Sequence, residues 1–221
     1  MSKKKQTKSR TDAALLFTLI ALIFTVLVKL VDVKAIGPNG SEVGFAALNG
    51  AVAGTIGVSA FWYDVSQTFG YVAILLAAMF AVIGAVQLIR RKSLAKVDPE
   101  ILSLGALYAV TVILYVLFDR FAINYRPVLE NGVLEPSYPS SHTMLSLVVF
   151  GSAVFLIRRY FYPGTVRKVL TGTALAFLAL TVLTRLLSGF HWLTDIIGGM
   201  LIAAALLGWF SVLTAALKKK K

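Results

Sequence analysis

Six stretches of this chain stay apolar for about the 20 residues that a helix needs to cross a bilayer. They run over roughly 13–33, 66–89, 100–119, 142–157, 168–187 and 193–217. Lipid offers no partner for a backbone amide or carbonyl, so runs of this length are confined to helices. Hydrophobic residues make up 58% of the 221 residues and charged residues 14%, whereas a typical soluble domain carries about 25% charged residues. A water-soluble core, a disordered chain, a collagen-like repeat and a coiled coil are therefore excluded. The sequence holds no cysteine, which removes disulfides and cysteine-based metal sites. The expectation is an all-α, polytopic membrane protein with six transmembrane helices. A single domain, 13–217, is flanked by basic tails at 1–12 and 218–221, with the first ten residues disordered.

The segment 43–63 is uncharged and long enough to span, but it carries four glycines, an Asn, a Thr and a Ser, and it ends in Phe61-Trp62-Tyr63. Aromatic clusters favour the membrane–water interface, so the segment reads as an outer interfacial or re-entrant helix. The charges support that choice. Basic residues gather at Lys3–Arg10, Arg90–Lys96, Arg158–Lys168 and Lys218–Lys221, seventeen of the 22 in total. With six spans all four clusters fall on one side, which the positive-inside rule makes cytoplasmic, with both termini inside. A seventh span would separate the first cluster from the rest. In a soluble protein the net charge of +12 would suggest a nucleic-acid partner. Here topology and attraction to anionic lipids account for it, and no nucleic-acid partner is expected.

Five basic residues lie outside the clusters: Lys29, Lys34, Arg120, Arg126 and Arg185. All map to the outer half, as do the two histidines, His142 and His191, and the intramembrane Asp195. An ionisable group within a membrane segment is costly and marks function by default. In 184-TRLLSGFHWLTD-195, His191 and Asp195 are four apart and share a helix face. A carboxylate that accepts the Nδ1–H of a histidine fixes its tautomer and leaves Nε2 as a nucleophile or base. In 136-PSYPSSHTM-144, Ser140 or Ser141 is a natural N-cap, and the free amides of a helix start also form an anion site. Cations for oxygens, a nucleophile and an acid for a leaving group are the inventory of phosphoryl transfer.

These residues resemble the type 2 phosphatidic acid phosphatase (PAP2) superfamily, whose signatures are K-x6-RP, PSGH and SR-x5-H-x3-D. The third reads Thr184-Arg185-x5-His191-x3-Asp195 here, and the second reads Pro139-Ser140-Ser141-His142. The first keeps Arg126-Pro127, but Asp119 stands where the lysine is usual and Arg120 is one residue closer. The resemblance implies a six-helix bundle in which the signatures meet at the membrane surface. It implies His191 as a nucleophile forming a phosphohistidine, Asp195 as its orienter and His142 as the acid. Arg126, Arg185, Ser140 and Ser141 would hold phosphate oxygens. Arg120 is expected to replace the lysine, with Asp119 turned away toward Lys34 or another outer cation. No metal and no cofactor are implied.

The expected activity is hydrolysis of a lipid phosphate at the outer face of the cell membrane. Candidate substrates are phosphatidate, phosphatidylglycerophosphate and undecaprenyl diphosphate. The partners are then the substrate and the surrounding membrane lipids. A phosphotransferase on the same fold and a non-catalytic transporter or scaffold are the alternatives. The sequence leaves the headgroup and the oligomeric state open.

Overall fold

The computed structural model describes residues 3–219. Met1, Ser2, Lys220 and Lys221, and with them part of both expected tails, lie outside the described residues. Seven α-helices follow one another: α1 Lys3–Leu30, α2 Ala46–Ile56, α3 Ala60–Arg91, α4 Pro99–Arg120, α5 Ser141–Tyr160, α6 Thr165–Ser188 and α7 Leu193–Lys219. All but α2 are long and apolar enough to cross a membrane, so the chain is a multi-pass membrane protein of six spans. Their exposed surfaces carry Leu22, Leu75, Ile89, Val112 and Leu183, as a lipid-facing surface requires.

Two expected boundaries are corrected. The basic stretch expected to be disordered is helical from Lys3 onward. Lys, Arg and Gln are good helix formers, and no Gly or Pro separates them from the apolar span. The segment 43–63 is not one element. Its first part forms α2, whose 11 residues cover only about 16 Å at the α-helical rise and cannot span a bilayer. Its aromatic end belongs to the first turn of α3, because Ser59 caps that helix, its side chain accepting the Trp62 amide at 3.4 Å.

Helix α5 sits at the centre, packed on α3, α4, α6 and α7, and α1 lies along α7. Met144, Leu147 and Val148 of α5 meet Leu104 and Leu107 of α4 and Ile202, Leu206 and Phe210 of α7. On its other side Phe150 meets Phe177 of α6 edge to face, ring centroids 5.5 Å apart. Within lipid the gain comes from close packing rather than from water exclusion.

The two ends of the bundle differ in chemistry. At one end the turns 92–98 and 161–164 gather the basic clusters around two acids. Asp98 takes Arg91 at 2.6 Å, and the buried Glu100 takes Arg159 at 2.8 Å and Lys218 at 2.6 Å. The other end holds the linkers 31–45, 57–59, 121–140 and 189–192, and every residue proposed for chemistry.

Candidate active site

The turn from α6 into α7 is built around Gly189, whose φ is +70°. A Cβ there would lie 1.9 Å from the Gly57 carbonyl oxygen, so only glycine fits. The Ser59 amide donates to the Ser188 carbonyl at 3.0 Å and ties this turn to the start of α3. His191 follows, and Trp192 stands just before α7. The Asp195 Oδ2 accepts the Trp192 amide at 3.0 Å, the reach-back half of a capping box. Asp195 is thus fixed by the helix start, where an acid is also favoured by the helix dipole.

His191 sits between two charged partners. Arg185 Nη2 lies 3.0 Å from His191 Nε2. A guanidinium can only donate, so Nε2 is the acceptor and Nδ1 carries the proton. That Nδ1 lies 3.6 Å from Asp195 Oδ2, beyond an ordinary hydrogen bond, and is buried without a hydrogen-bond partner among the described residues. Burial above all, and then the charges of Arg185, Arg126 and His142, hold the His191 imidazole well below the usual histidine range. Arg185 itself is fully buried; its Nη1 donates to Ser66 Oγ at 3.0 Å, and its guanidinium lies 5.3 Å from the centre of the Tyr63 ring.

The start of α5 reaches the same place. Ser140 is the N-cap: its Oγ accepts the Thr143 amide at 3.4 Å and the Thr143 hydroxyl at 3.0 Å. Its own amide donates to the Asp195 carbonyl at 2.9 Å. Ser140 is buried in that role, whereas Ser141 lines a cavity of about 230 Å³ together with Arg126, His191, Ser137 and Tyr138. His142 lines an adjoining cavity of about 240 Å³ that reaches toward Gly70 of α3 and Thr111 of α4. Tyr115, Ser141 and Met144 belong to both walls.

Arg126 arrives on a hairpin that the sequence reading did not anticipate. Glu130 and Val133 exchange both backbone bonds at 3.0 Å, and the Arg126 amide donates to the Glu135 carbonyl at 3.0 Å. Asn131 and Gly132 between them have φ of +52° and +77°, the pattern of a type I′ turn. The Asn-Gly pair was the available signal. The hairpin brings two carboxylates to the arginine: Glu130 pairs with Nη1 and Glu135 with Nη2, the latter at 3.2 Å.

The structure separates Asp119 from Arg120. Asp119 is on the wall of the 230 Å³ cavity; Arg120, exposed at the end of α4, is not. Lys34 pairs with Asp32 at 2.9 Å rather than with Asp119. At 100° per residue, one position around a helix decides which side chain meets the cavity.

Two buried asparagines complete the site. Asn124 donates to Asp195 Oδ1 at 3.3 Å, accepts the Gly44 amide at 3.2 Å, and its carbonyl takes the Ser137 amide at 2.9 Å. Asn49 of α2 donates to Thr194 Oγ1 at 2.9 Å and accepts its amide at 3.2 Å. Both hold the residues around Asp195 from segments distant in sequence, Asn124 from a linker and Asn49 from α2. Around the cavity, Arg126 Nε, Arg185 Nε and Ser137 Oγ are buried without a hydrogen-bond partner among the described residues, whereas buried polar groups are ordinarily satisfied.

The sequence profile of the PAP2 superfamily matches residues 99–219, more than half of the chain. The chain belongs to the PAP2 superfamily. Among solved structures it is similar to a Bacillus subtilis protein described as the first transmembrane PAP2 type phosphatidylglycerolphosphate phosphatase. The TM-score is 0.61 at 21% identity, over 94% of this chain and 96% of that one. No curated protein matched. The PAP2 fold thus extends over all six spans, including α1 to α3, which lie before the matched profile.

Proposed function

We propose that this PAP2 protein is a phosphatase that removes a terminal phosphate from a membrane lipid through a phosphohistidine on His191. The observation that carries the reading is the contact of Arg185 with His191 Nε2 beside a cavity that also presents Arg126. Nε2 keeps its lone pair, and cations stand ready for the phosphate oxygens. When a phosphate enters, Arg185 exchanges Nε2 for an oxygen and Nε2 attacks phosphorus. The positive charge that develops on the imidazole faces Asp195. The bond to the leaving oxygen breaks, and that oxygen takes a proton from His142. A water molecule then attacks the phosphohistidine, giving its proton to His142 and returning His191 with free phosphate. The reading assigns the phosphate oxygens to guanidiniums, hydroxyls and amides and the proton transfers to imidazoles, and it uses no metal.

The lipid character of the substrate is supported by the second cavity, which opens among the apolar faces of α3, α4 and α5 and shares a wall with the first. The gathering of the basic clusters at the opposite end of the bundle supports a cytoplasmic location for that end under the positive-inside rule, and with it a site that works at the outer leaflet. Phosphatidate, phosphatidylglycerophosphate and undecaprenyl diphosphate are the substrates to compare. Purified protein should release phosphate from at least one, and labelled substrate should leave a base-stable, acid-labile phosphoprotein. His191→Ala should abolish both. Phosphate release by His191→Ala at the wild-type rate would overturn the reading.

A further inference from the structure

Tyr63 is part of none of the three signatures, yet it touches the surroundings of both arginines. Its hydroxyl donates to Glu130 Oε1 at 2.5 Å, while the other oxygen of Glu130 pairs with Arg126. Its ring lies beneath the Arg185 guanidinium at 5.3 Å and stacks at 4.1 Å on Phe190, the residue before His191. Gln67 Nε2 reaches the same hydroxyl at 3.3 Å. Glu130 is therefore shared between a neutral donor and the arginine that a phosphate needs. A carboxylate and a phosphate oxygen compete for the same guanidinium geometry, and both cannot hold Nη1.

We propose that Glu130 is an exchangeable counter-anion of the phosphate site, with Tyr63 the positioning residue that receives it when phosphate displaces it from Arg126. The inference rests on the phosphatase reading above. Glu130 shields Arg126 from Arg185 when phosphate is not bound, and its return helps to expel the phosphate product. Glu135, bonded to the other nitrogen and more exposed, assists without being held by a second donor.

Opposite signs at two neighbouring residues distinguish this role from a structural one. Glu130→Gln removes the competing charge while keeping the shape. Tyr63→Phe keeps the ring under Arg185 but removes the donor, which leaves Glu130 with Arg126 alone. The test titrates orthovanadate and inorganic phosphate into purified wild type, both variants and the double variant. Binding is read as calorimetric affinity and as the ligand-induced rise in melting temperature, with no turnover required. Glu130→Gln should bind about tenfold tighter, the scale of one charge-assisted hydrogen bond released. Tyr63→Phe should bind about fivefold weaker, and the double variant should resemble Glu130→Gln. In turnover, Glu130→Gln should show lower KM and stronger inhibition by product phosphate. Weaker or unchanged binding by Glu130→Gln, or a shift in the same direction for both variants, would overturn the inference while the phosphatase reading stands. Wild-type protein that binds neither anion would overturn that reading, and this inference with it.

Discussion

Gly70→Ala tests whether the placement of His142, rather than its mere presence, sets the rate. A Cβ at position 70 would lie 2.7 Å from His142 Cδ2 and 3.1 Å from its Nε2. Carbon atoms rest comfortably at about 3.5–4.0 Å, so the imidazole must retreat by about 1 Å. His142 lines the 240 Å³ cavity, so the ring retreats into that space and away from the place it holds beside the phosphate site. A misplacement of that size at a reacting group costs about 10²-fold in rate. Stability should move the other way: alanine in a helix interior gains about 0.5–1 kcal/mol over glycine, and this offsets much of the contact strain. The variant should melt within a few degrees of wild type and bind vanadate normally. The assay compares kcat/KM for an alkyl phosphate lipid with that for a nitrophenyl phosphate, whose leaving oxygen needs little protonation. The loss should be about 10²-fold for the first and close to nil for the second. Equal losses on both would show that the displaced ring does not act on the leaving group. Unchanged rates on both would refute the collision itself.

Three further outcomes follow from the geometry. Asn124→Ala leaves Asp195 Oδ1 and the Gly44 amide unpaired in a buried setting, each costing about 1–3 kcal/mol; thermal unfolding should show a clear fall in melting temperature, and turnover should drop with His191 intact. His191, depressed below the ordinary value, takes up its proton in the unfolded chain near pH 6.5 but in the folded one only at lower pH, so its contribution to stability is lost as pH falls below about 6.5. His191→Gln should flatten the melting temperature between about pH 5 and 7, and an unchanged slope would count against the neutral imidazole. Asp119→Lys, which restores the usual first signature on the cavity wall, should tighten vanadate binding, whereas Arg120→Ala should leave it near wild type; a large loss in Arg120→Ala alone would return the lysine's role to Arg120.

What the sequence disclosed divides by the distance over which each feature is specified. The six spans were legible because lipid forces each segment to satisfy its own backbone, a strictly local rule. His191 and Asp195 were legible as one helical turn, and Ser140 or Ser141 as a cap. The second span was read from residue 66 because Phe61, Trp62 and Tyr63 look interfacial, although Ser59 supplies an N-cap that starts α3 at Ala60. Asp119 and Arg120 could not be told apart without the helix phase, which depends on where α4 packs rather than on composition.

The remaining features join residues far apart in the chain. Ser66 and Arg185, Tyr63 and Glu130, Asn124 and Asp195, and Asn49 and Thr194 have no common period or motif. In each pair at least one member is not a signature residue, and these pairs are what turns a set of reactive side chains into a site with defined tautomers and occupied cations. Asp195 shows why this matters. Its carboxylate serves the Trp192 amide and Asn124 at once and faces His191, so it cannot be turned aside without loosening the start of α7 and the loop that leads to Arg126. A carboxylate tied in this way stays oriented as charge appears on His191, and reorganisation of the protein is kept out of the barrier. The alanine series at Asn124 and Asn49 should therefore lower kcat more the closer each contact lies to Asp195, Asn124 first. Such an ordering comes from the folded arrangement and could not be obtained from the three signatures alone.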